Sequence, residues 1–304
     1  MIVQNIDLYD FLAASVQEYG NSGKNNLEYI GLTVDQKEFI SAKIYLCKKT
    51  EMSKLPDWSY MFWEKYYKRL SEIIDVEICD TSEAISGIIP TYRMIVKLKN
   101  KLQMSQINEL SDCLLYSVGK MEVERFQNFQ GLVAEYNESD VSPLIQLGIE
   151  TDQDFKYLSF KYYMTVKTKP TEKPKVTLNT VSVLEQMCSE KDRNSILNEK
   201  ILHDIEKCNY YPTFFGINDD GITVENKMYY ITGLYGRDLL QKAESQTLAL
   251  CESLGLDENL KKAFERAYKE KGLYLEGVAM STTNPESIRL YLTELGDRIN
   301  VNCL

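Results

Sequence analysis

The sequence predicts an α/β fold of the α+β kind: a ten-stranded antiparallel β-barrel of five hairpins, surrounded by a ring of helices. Short apolar segments recur along the chain, and each is followed by a second segment in which apolar and polar residues alternate. Helical patterns lie between these pairs. Ten antiparallel strands interspersed with helices are most economically arranged as a barrel with the helices outside.

Glycine marks the first strand of four of the five predicted hairpins. These first strands are residues 29–35, 146–152, 214–220 and 275–281, and their second strands are 41–46, 160–165, 227–232 and 288–293. In each copy a basic residue follows the glycine after 11 to 13 residues, a regularity typical of one hairpin used repeatedly. The remaining hairpin, 76–79 with 92–98, lacks the glycine.

Helical spacing of apolar residues fills most of the connections between these hairpins. The predicted helices are 6–19, 58–74, two within 105–136, 181–207, 237–254 and 258–271. Gly255 and Gly272 follow the last two, as expected of residues that end helices.

Composition limits the classes of partner. The chain has 304 residues, of which 44% are hydrophobic and 26% charged, so we expect a single folded domain over residues 1–304. A net charge of −10 argues against nucleic acid binding through a basic face. Neither a signal peptide nor a membrane-spanning run is apparent, so we expect a cytoplasmic protein with no membrane partner. We also expect a monomer.

Cysteine and histidine usage narrows the metal chemistry. Seven scattered cysteines without a CxxC motif are typical of a reduced intracellular chain. One histidine, His203, excludes zinc and iron sites that need several. Asn218-Asp219-Asp220 is interpreted as a turn.

The second strands alternate between apolar residues and residues that are basic or carry a hydroxyl. Alternate residues of a strand lie on opposite faces, so one face packs against helices and the other points into the barrel. The basic residues are Lys43, Arg93, Lys97, Lys161, Lys227 and Arg289, and a tyrosine follows four of them two positions later: Tyr45, Tyr163, Tyr229 and Tyr291. A solvated face would carry both signs of charge, but these segments hold six bases and no acid.

Interior cations are costly unless an anion neutralises them, and a di- or triphosphate would do so. Aromatic faces attract cations through their quadrupole. Interior cations together with tyrosine rings therefore favour a site for an allylic carbocation that has parted from pyrophosphate.

This arrangement resembles the soluble aromatic prenyltransferases of the ABBA, or PT-barrel, fold. The segment from Lys227-Met-Tyr229 to Leu254-Gly-Leu256 is most similar to the bacterial phenol and naphthalene branch, and the Lys-x-Tyr pairs at 161/163 and 227/229 also resemble the indole branch. The resemblance implies transfer of a dimethylallyl or geranyl group from its diphosphate to an electron-rich aromatic acceptor, here an indole-type natural product, by a Friedel-Crafts-like attack.

The resemblance also implies roles for individual residues. The six basic residues would bind the diphosphate, and the four tyrosines would shield the cation. Glu28 resembles the catalytic carboxylate that accepts the indole N–H. The second strand of the first hairpin lacks the acid of the magnesium-using branch, which implies that neither Mg²⁺ nor another cofactor is required.

Other functions remain compatible with the sequence. A non-catalytic barrel that binds an amphipathic or phosphorylated ligand would share the interior site. A triphosphate-tunnel hydrolase would need ExExK acids on its strands, which these strands lack. An interaction scaffold would use the helices as its working surface. Turnover of an allylic diphosphate separates an enzyme from a binder.

Overall fold

A computed structural model describes residues 7–20, 27–35, 38–47, 57–85, 90–98, 109, 144–165, 207–219, 224–234, 236–281 and 287–295. Its helices are α1 (Leu8–Tyr19), α2 (Asp57–Tyr66), α3 (Lys68–Ile73), α4 (Gly236–Ser253) and α5 (Glu258–Lys271). Its strands are β1 (Leu27–Asp35), β2 (Glu38–Cys47), β3 (Val76–Ile85), β4 (Pro90–Leu98), β5 (Leu144–Thr151), β6 (Tyr157–Thr165), β7 (Tyr210–Asp219), β8 (Val224–Thr232), β9 (Leu273–Ser281) and β10 (Ser287–Glu294).

The predicted mixed α/β class and its five antiparallel hairpins are confirmed. Each odd-numbered strand pairs with the strand that follows it. The hairpins join side by side in the order β1-β10-β9-β8-β7-β6-β5-β4-β3-β2, and β2 pairs with β1, so the strand order closes on itself as a barrel.

The apolar face of the strands packs outward against helices, as the alternation predicts. One buried cluster contains apolar strand residues together with side chains from all five helices, and α4 contributes to it only near its end. The strand residues include Ile44, Met94, Phe160, Met228 and Leu290. Burial of this face fixes the strand register, because a slip of one residue would move every side chain to the opposite face. The basic and tyrosine positions are thereby directed into the barrel.

The helices follow local sequence signals. Asp7 begins α1 by accepting a hydrogen bond from Tyr9 N at 2.8 Å, and Asp257 accepts in the same way from Asn259 N at the start of α5. Gly272 ends α5 with a φ of +67°, a left-handed conformation that glycine adopts without steric cost.

One predicted helix differs from the structure, and three others fall almost wholly outside the described residues. The single predicted helix 58–74 is divided into α2 and α3 at Tyr67, whose φ of −117° and ψ of −16° depart from ideal helical values. The patterns 105–136 and 181–207, which includes His203, lie outside the described residues except at Glu109 and Lys207.

Tyr67 connects the outer helices to the barrel. Its fully buried side chain places the hydroxyl 2.7 Å from the carbonyl oxygen of Met94 in β4 and 3.2 Å from that of Leu147 in β5. A buried donor that satisfies strand carbonyls contributes a modest but specific stabilisation.

We predict that Tyr67→Phe lowers the free energy of unfolding by about 1 kcal/mol, because the hydroxyl is lost while the ring still fills its position. Chemical denaturation with matched slopes would measure it. Tyr60→Phe is the control: Tyr60 lies on the exposed side of α2, and its substitution should change stability by less than about 0.5 kcal/mol. Equal effects of the two substitutions would contradict the assignment.

Candidate functional site: a divided barrel interior

A polar cavity of about 200 Å³ lies inside the barrel, and side chains from seven strands line it. Five of the six predicted cations meet there: Lys43, Arg93, Lys161, Lys227 and Arg289. All four predicted tyrosines line it too: Tyr45, Tyr163, Tyr229 and Tyr291. The prediction that the basic and tyrosine face points inward is confirmed in its geometry.

Lys97 does not join the other cations. It has the same strand parity as Arg93, but its Nζ lies 3.2 Å from Oε2 of its cross-strand neighbour Glu77, and both side chains are partly exposed. Lys97 is not one of the described residues that line the interior cavities. Its predicted role in diphosphate binding therefore has no support from the geometry.

The tyrosines form a continuous series of ring contacts. The ring centroids of Tyr45 and Tyr291 are 6.4 Å apart, those of Tyr291 and Tyr229 are 6.1 Å apart, and those of Tyr229 and Tyr163 are 5.9 Å apart. Tyr29, which sequence reasoning did not select, extends the series by an edge contact of 6.2 Å with Tyr291. Its place in the first strand, opposite Tyr45, is the signal that could have identified it.

The rings already face cations in the structure. The Arg93 guanidinium carbon lies 4.8 Å from the centroid of Tyr45, and Lys43 Nζ lies 5.6 Å from it. Burial alone would raise the pKa of the Tyr45 phenol, but the fields of Lys43 and the surrounding arginines lower it below the ordinary value. The π-face of Tyr45 thus lies beside positively charged side chains.

Gly216 shows what glycine does in one of the first strands, β7. It lies directly opposite Lys227, and a Cβ there would come within 2.9 Å of Tyr229 Cε2 and 3.1 Å of Tyr163 Cδ1. A side chain at this position would displace both rings. The glycine allows the tyrosines to lie close over the strand.

Two carboxylates also line the cavity, and sequence reasoning missed both. Glu150 in β5 forms ion pairs with Lys43 and Lys161, and Glu225 in β8 forms one with Lys227. The expectation of an interior with cations alone is wrong. That expectation rests on the residues of the second strands, whereas Glu150 lies on a first strand and Glu225 lies two residues before the segment 227–232. Asn218 also lines this cavity, from within β7, rather than forming the predicted turn.

Arg289 differs from the other interior cations. Within the part of the chain that the structure describes, its guanidinium has neither a hydrogen bond nor an ion pair. A guanidinium presents five donors in a planar fork that matches phosphate and carboxylate oxygens. Its position in the cavity makes it a candidate ligand for an anion.

Lys227 has a lowered pKa but still carries its charge at neutral pH. Its side chain is buried beside Arg289, and these two effects lower the pKa of Lys227 to about 8, although Glu225 acts to raise it. A further anion in the cavity would raise that pKa again, because it would favour the charged ammonium.

A second, mainly apolar cavity adjoins the first and shares Tyr45, Arg93, Tyr163, Tyr229 and Tyr291 with it. The residues that belong only to the second cavity are Tyr29, Ile95, Gln146, Ile231 and Glu276. The interior therefore has a charged part and an aromatic part, with a layer of tyrosines between them.

Glu276 places a carboxylate in the aromatic part. Leu275 pairs with Leu292 and Gly277 with Tyr291, so Glu276 is the extra residue of a β-bulge in β9. Its side chain is only 2% exposed. Bulges redirect side chains and occur next to active sites, and here the bulge directs a buried acid into a cavity lined by tyrosines.

Glu28, the predicted catalytic carboxylate, also lies at a bulge. Leu27 pairs with Leu46 and Tyr29 with Tyr45, so Glu28 is the extra residue of this bulge in β1. It is half-buried, and neither cavity, as far as described residues define them, includes it.

The comparisons with known proteins add no family to this geometry: the chain matches no family model and no curated protein. None of the described helices combines the length and apolar character needed to cross a membrane. The described residues contain no group of three or more histidine, cysteine, aspartate or glutamate side chains that could hold a metal ion.

We predict that pyrophosphate binding at about pH 8.5 is accompanied by proton uptake by Lys227, since bound anion raises a pKa that starts at about 8. Calorimetry in buffers of different ionisation enthalpy measures the uptake. Lys227→Met is the control, because the difference between the two proteins removes the ligand's own titration. Equal uptake by both proteins would show that Lys227 does not titrate with binding.

Proposed function

We propose that this chain is an aromatic prenyltransferase of the PT-barrel kind, with a barrel ringed by helices and a donor diphosphate bound at its interior cations. The observation that carries the proposal is the divided interior. A tyrosine layer lies between a cavity lined by five cations and a mainly apolar cavity, and of these cations Arg93 alone lines both. An allylic diphosphate has the same division, because an anionic head is joined to an apolar chain.

The cations would act on the leaving group. Negative charge grows on the diphosphate as its bond to the allylic carbon breaks, and fixed cations beside it stabilise that charge. Arg289, without a described partner, and Lys227, with a pKa of about 8, are the cations best prepared to gain from an anion. Since protein cations supply this charge, we propose that donor binding does not require Mg²⁺.

The tyrosine layer would protect the allylic cation. Its rings line both cavities, so a donor that spans the boundary places its reacting carbon among them. Aromatic faces stabilise a cation by about 0.5–2 kcal/mol each, and a lining of rings excludes the water that would quench it.

The aromatic cavity would hold the acceptor. After the C–O bond to diphosphate has broken, an electron-rich ring placed there attacks the allylic cation with its own carbon and forms the new C–C bond. The ring then loses the proton from the attacked carbon. Glu276, buried in this cavity, is better placed than Glu28 to accept a hydrogen bond from an acceptor N–H or to take that proton.

We predict that dimethylallyl thiolodiphosphate, a donor analogue that resists hydrolysis, binds the protein in the presence of EDTA, and that Lys161→Ala weakens binding at least about tenfold. Isothermal calorimetry measures both. Lys97→Ala is the matched control and should bind as the unaltered protein does, since Lys97 pairs with Glu77 away from the cavities.

Three results would change this proposal. Binding that needs Mg²⁺ would contradict the metal-free donor site. Binding without any turnover of dimethylallyl diphosphate across a panel of indoles and phenols would favour a non-catalytic binder. No binding under either condition would overturn the prenyltransferase proposal.

We predict that Glu276→Gln lowers turnover with an indole or phenol acceptor by about 100-fold or more, while affinity for the donor analogue stays within about twofold. Glu28→Gln is the matched comparison, with the same chemical change at another bulge residue. A larger loss in Glu28→Gln than in Glu276→Gln would return the catalytic role to Glu28.

A further inference from the structure

Glu150 occupies an unusual position among the interior cations. It lies on β5, its side chain is only 9% exposed, and its two carboxylate oxygens bind different partners. Oε1 accepts from Lys43 Nζ and, at 2.8 Å, from Thr91 Oγ1, whereas Oε2 accepts from Lys161 Nζ. A single carboxylate thus bridges two of the proposed diphosphate ligands.

The bridge crosses the barrel interior. Lys161 lies on β6, next to β5, but Lys43 lies on β2, and strands β3 and β4 separate β2 from β5 in the barrel order. The ion pair between Glu150 and Lys43 therefore joins distant walls of the cavity rather than neighbouring residues of one sheet face. An anion bound between these walls would need the same two ammonium groups.

The Glu150 carboxylate is firmly anionic. Although burial acts to raise its pKa, the charges of Lys161 and Lys43 hold that pKa well below the usual value. At neutral pH the cavity therefore contains five cations and two carboxylates, those of Glu150 and Glu225. A diphosphate entering the cavity meets lysines that already have a counter-ion.

We propose that Glu150 is an internal counter-ion that occupies part of the anion site in the free protein and is displaced from Lys43 and Lys161 when a diphosphate binds. This inference rests on the proposed donor site. Displacement weakens binding of every diphosphate, because the ion pairs of Glu150 are broken first. It equally favours departure of pyrophosphate after prenyl transfer, when the carboxylate returns to the lysines.

The register provides a second partner for the displaced carboxylate. Glu150 is directly opposite Arg93 in the pairing of β5 with β4, and side chains of such cross-strand neighbours come within contact distance. A change of side-chain rotamer can turn the carboxylate from the lysines toward this guanidinium, so that its charge stays compensated while the lysines bind phosphate oxygens.

The test is the affinity of the whole protein for inorganic pyrophosphate, measured by calorimetry in EDTA for the unaltered chain and for Glu150→Gln. The glutamine keeps the shape and loses the charge, so pyrophosphate should bind about tenfold more tightly or better. Glu77→Gln is the control. It removes a glutamate that pairs with Lys97 outside the cavities, with 48% of its side chain exposed, and should change nothing.

A second variant guards against misfolding of Glu150→Gln. Thr91→Val is close in shape, leaves the charge balance intact and removes one hydrogen bond that holds the carboxylate on Lys43. It should tighten pyrophosphate binding by about threefold to tenfold. General damage to the site would weaken binding, so tighter binding is a result that a merely structural role for Glu150 does not produce.

The outcomes separate this inference from the proposed function. Tighter binding by both variants supports the internal counter-ion. If the unaltered protein binds pyrophosphate and neither variant binds it more tightly, the counter-ion is overturned and the donor site stands. If neither the unaltered protein nor either variant binds pyrophosphate, both the counter-ion and the donor site are overturned.

Discussion

Like charges gathered inside the barrel are the constraint on which the rest of the structure depends. Five cations project into one cavity because period-two alternation and a buried outer face leave them no other direction. Buried charge is stable only when it is compensated, and Glu150 and Glu225 form ion pairs with three of the lysines. Two carboxylates face five cations, and the remaining excess of positive charge gives the cavity its capacity for an anion.

The tyrosine layer makes the two sides of the barrel interior chemically different. On one side lie ammonium and guanidinium groups, and on the other lie Ile95, Ile231 and the ring of Tyr29. A ligand that was only anionic would use half of this interior, and one that was only apolar would use the other half. A molecule with both characters would span the boundary, which is why we propose an allylic diphosphate rather than a simple phosphate.

Alternation in the sequence was enough to predict the hairpins, the inward face and the interior position of nine of the ten residues proposed for the diphosphate and the cation shield. It failed at Lys97 because parity says which face a side chain joins but not how far along the barrel it lies. Four residues of strand separate Lys97 from Arg93, about 13 Å. It also failed for Glu150, whose significance comes from Lys43 on a distant strand, a contact that no local pattern encodes.

Both acids considered for the catalytic role, Glu28 and Glu276, lie at bulges. In four hairpins an extra residue interrupts the first strand at the same point, opposite the positions two and three residues after the basic residue, and these extra residues are Glu28, Cys79, Thr213 and Glu276. A bulge breaks the parity on which alternation depends, so inward and outward positions cannot be counted through it. Gly277 directly follows its bulge residue and lies opposite Tyr291, whereas Gly31 and Gly216 follow theirs by three residues and lie opposite lysines. Glu276, at the bulge of β9, lines the aromatic cavity beside the layer where a carbocation would form, whereas Glu28, at the bulge of β1, lines neither described cavity.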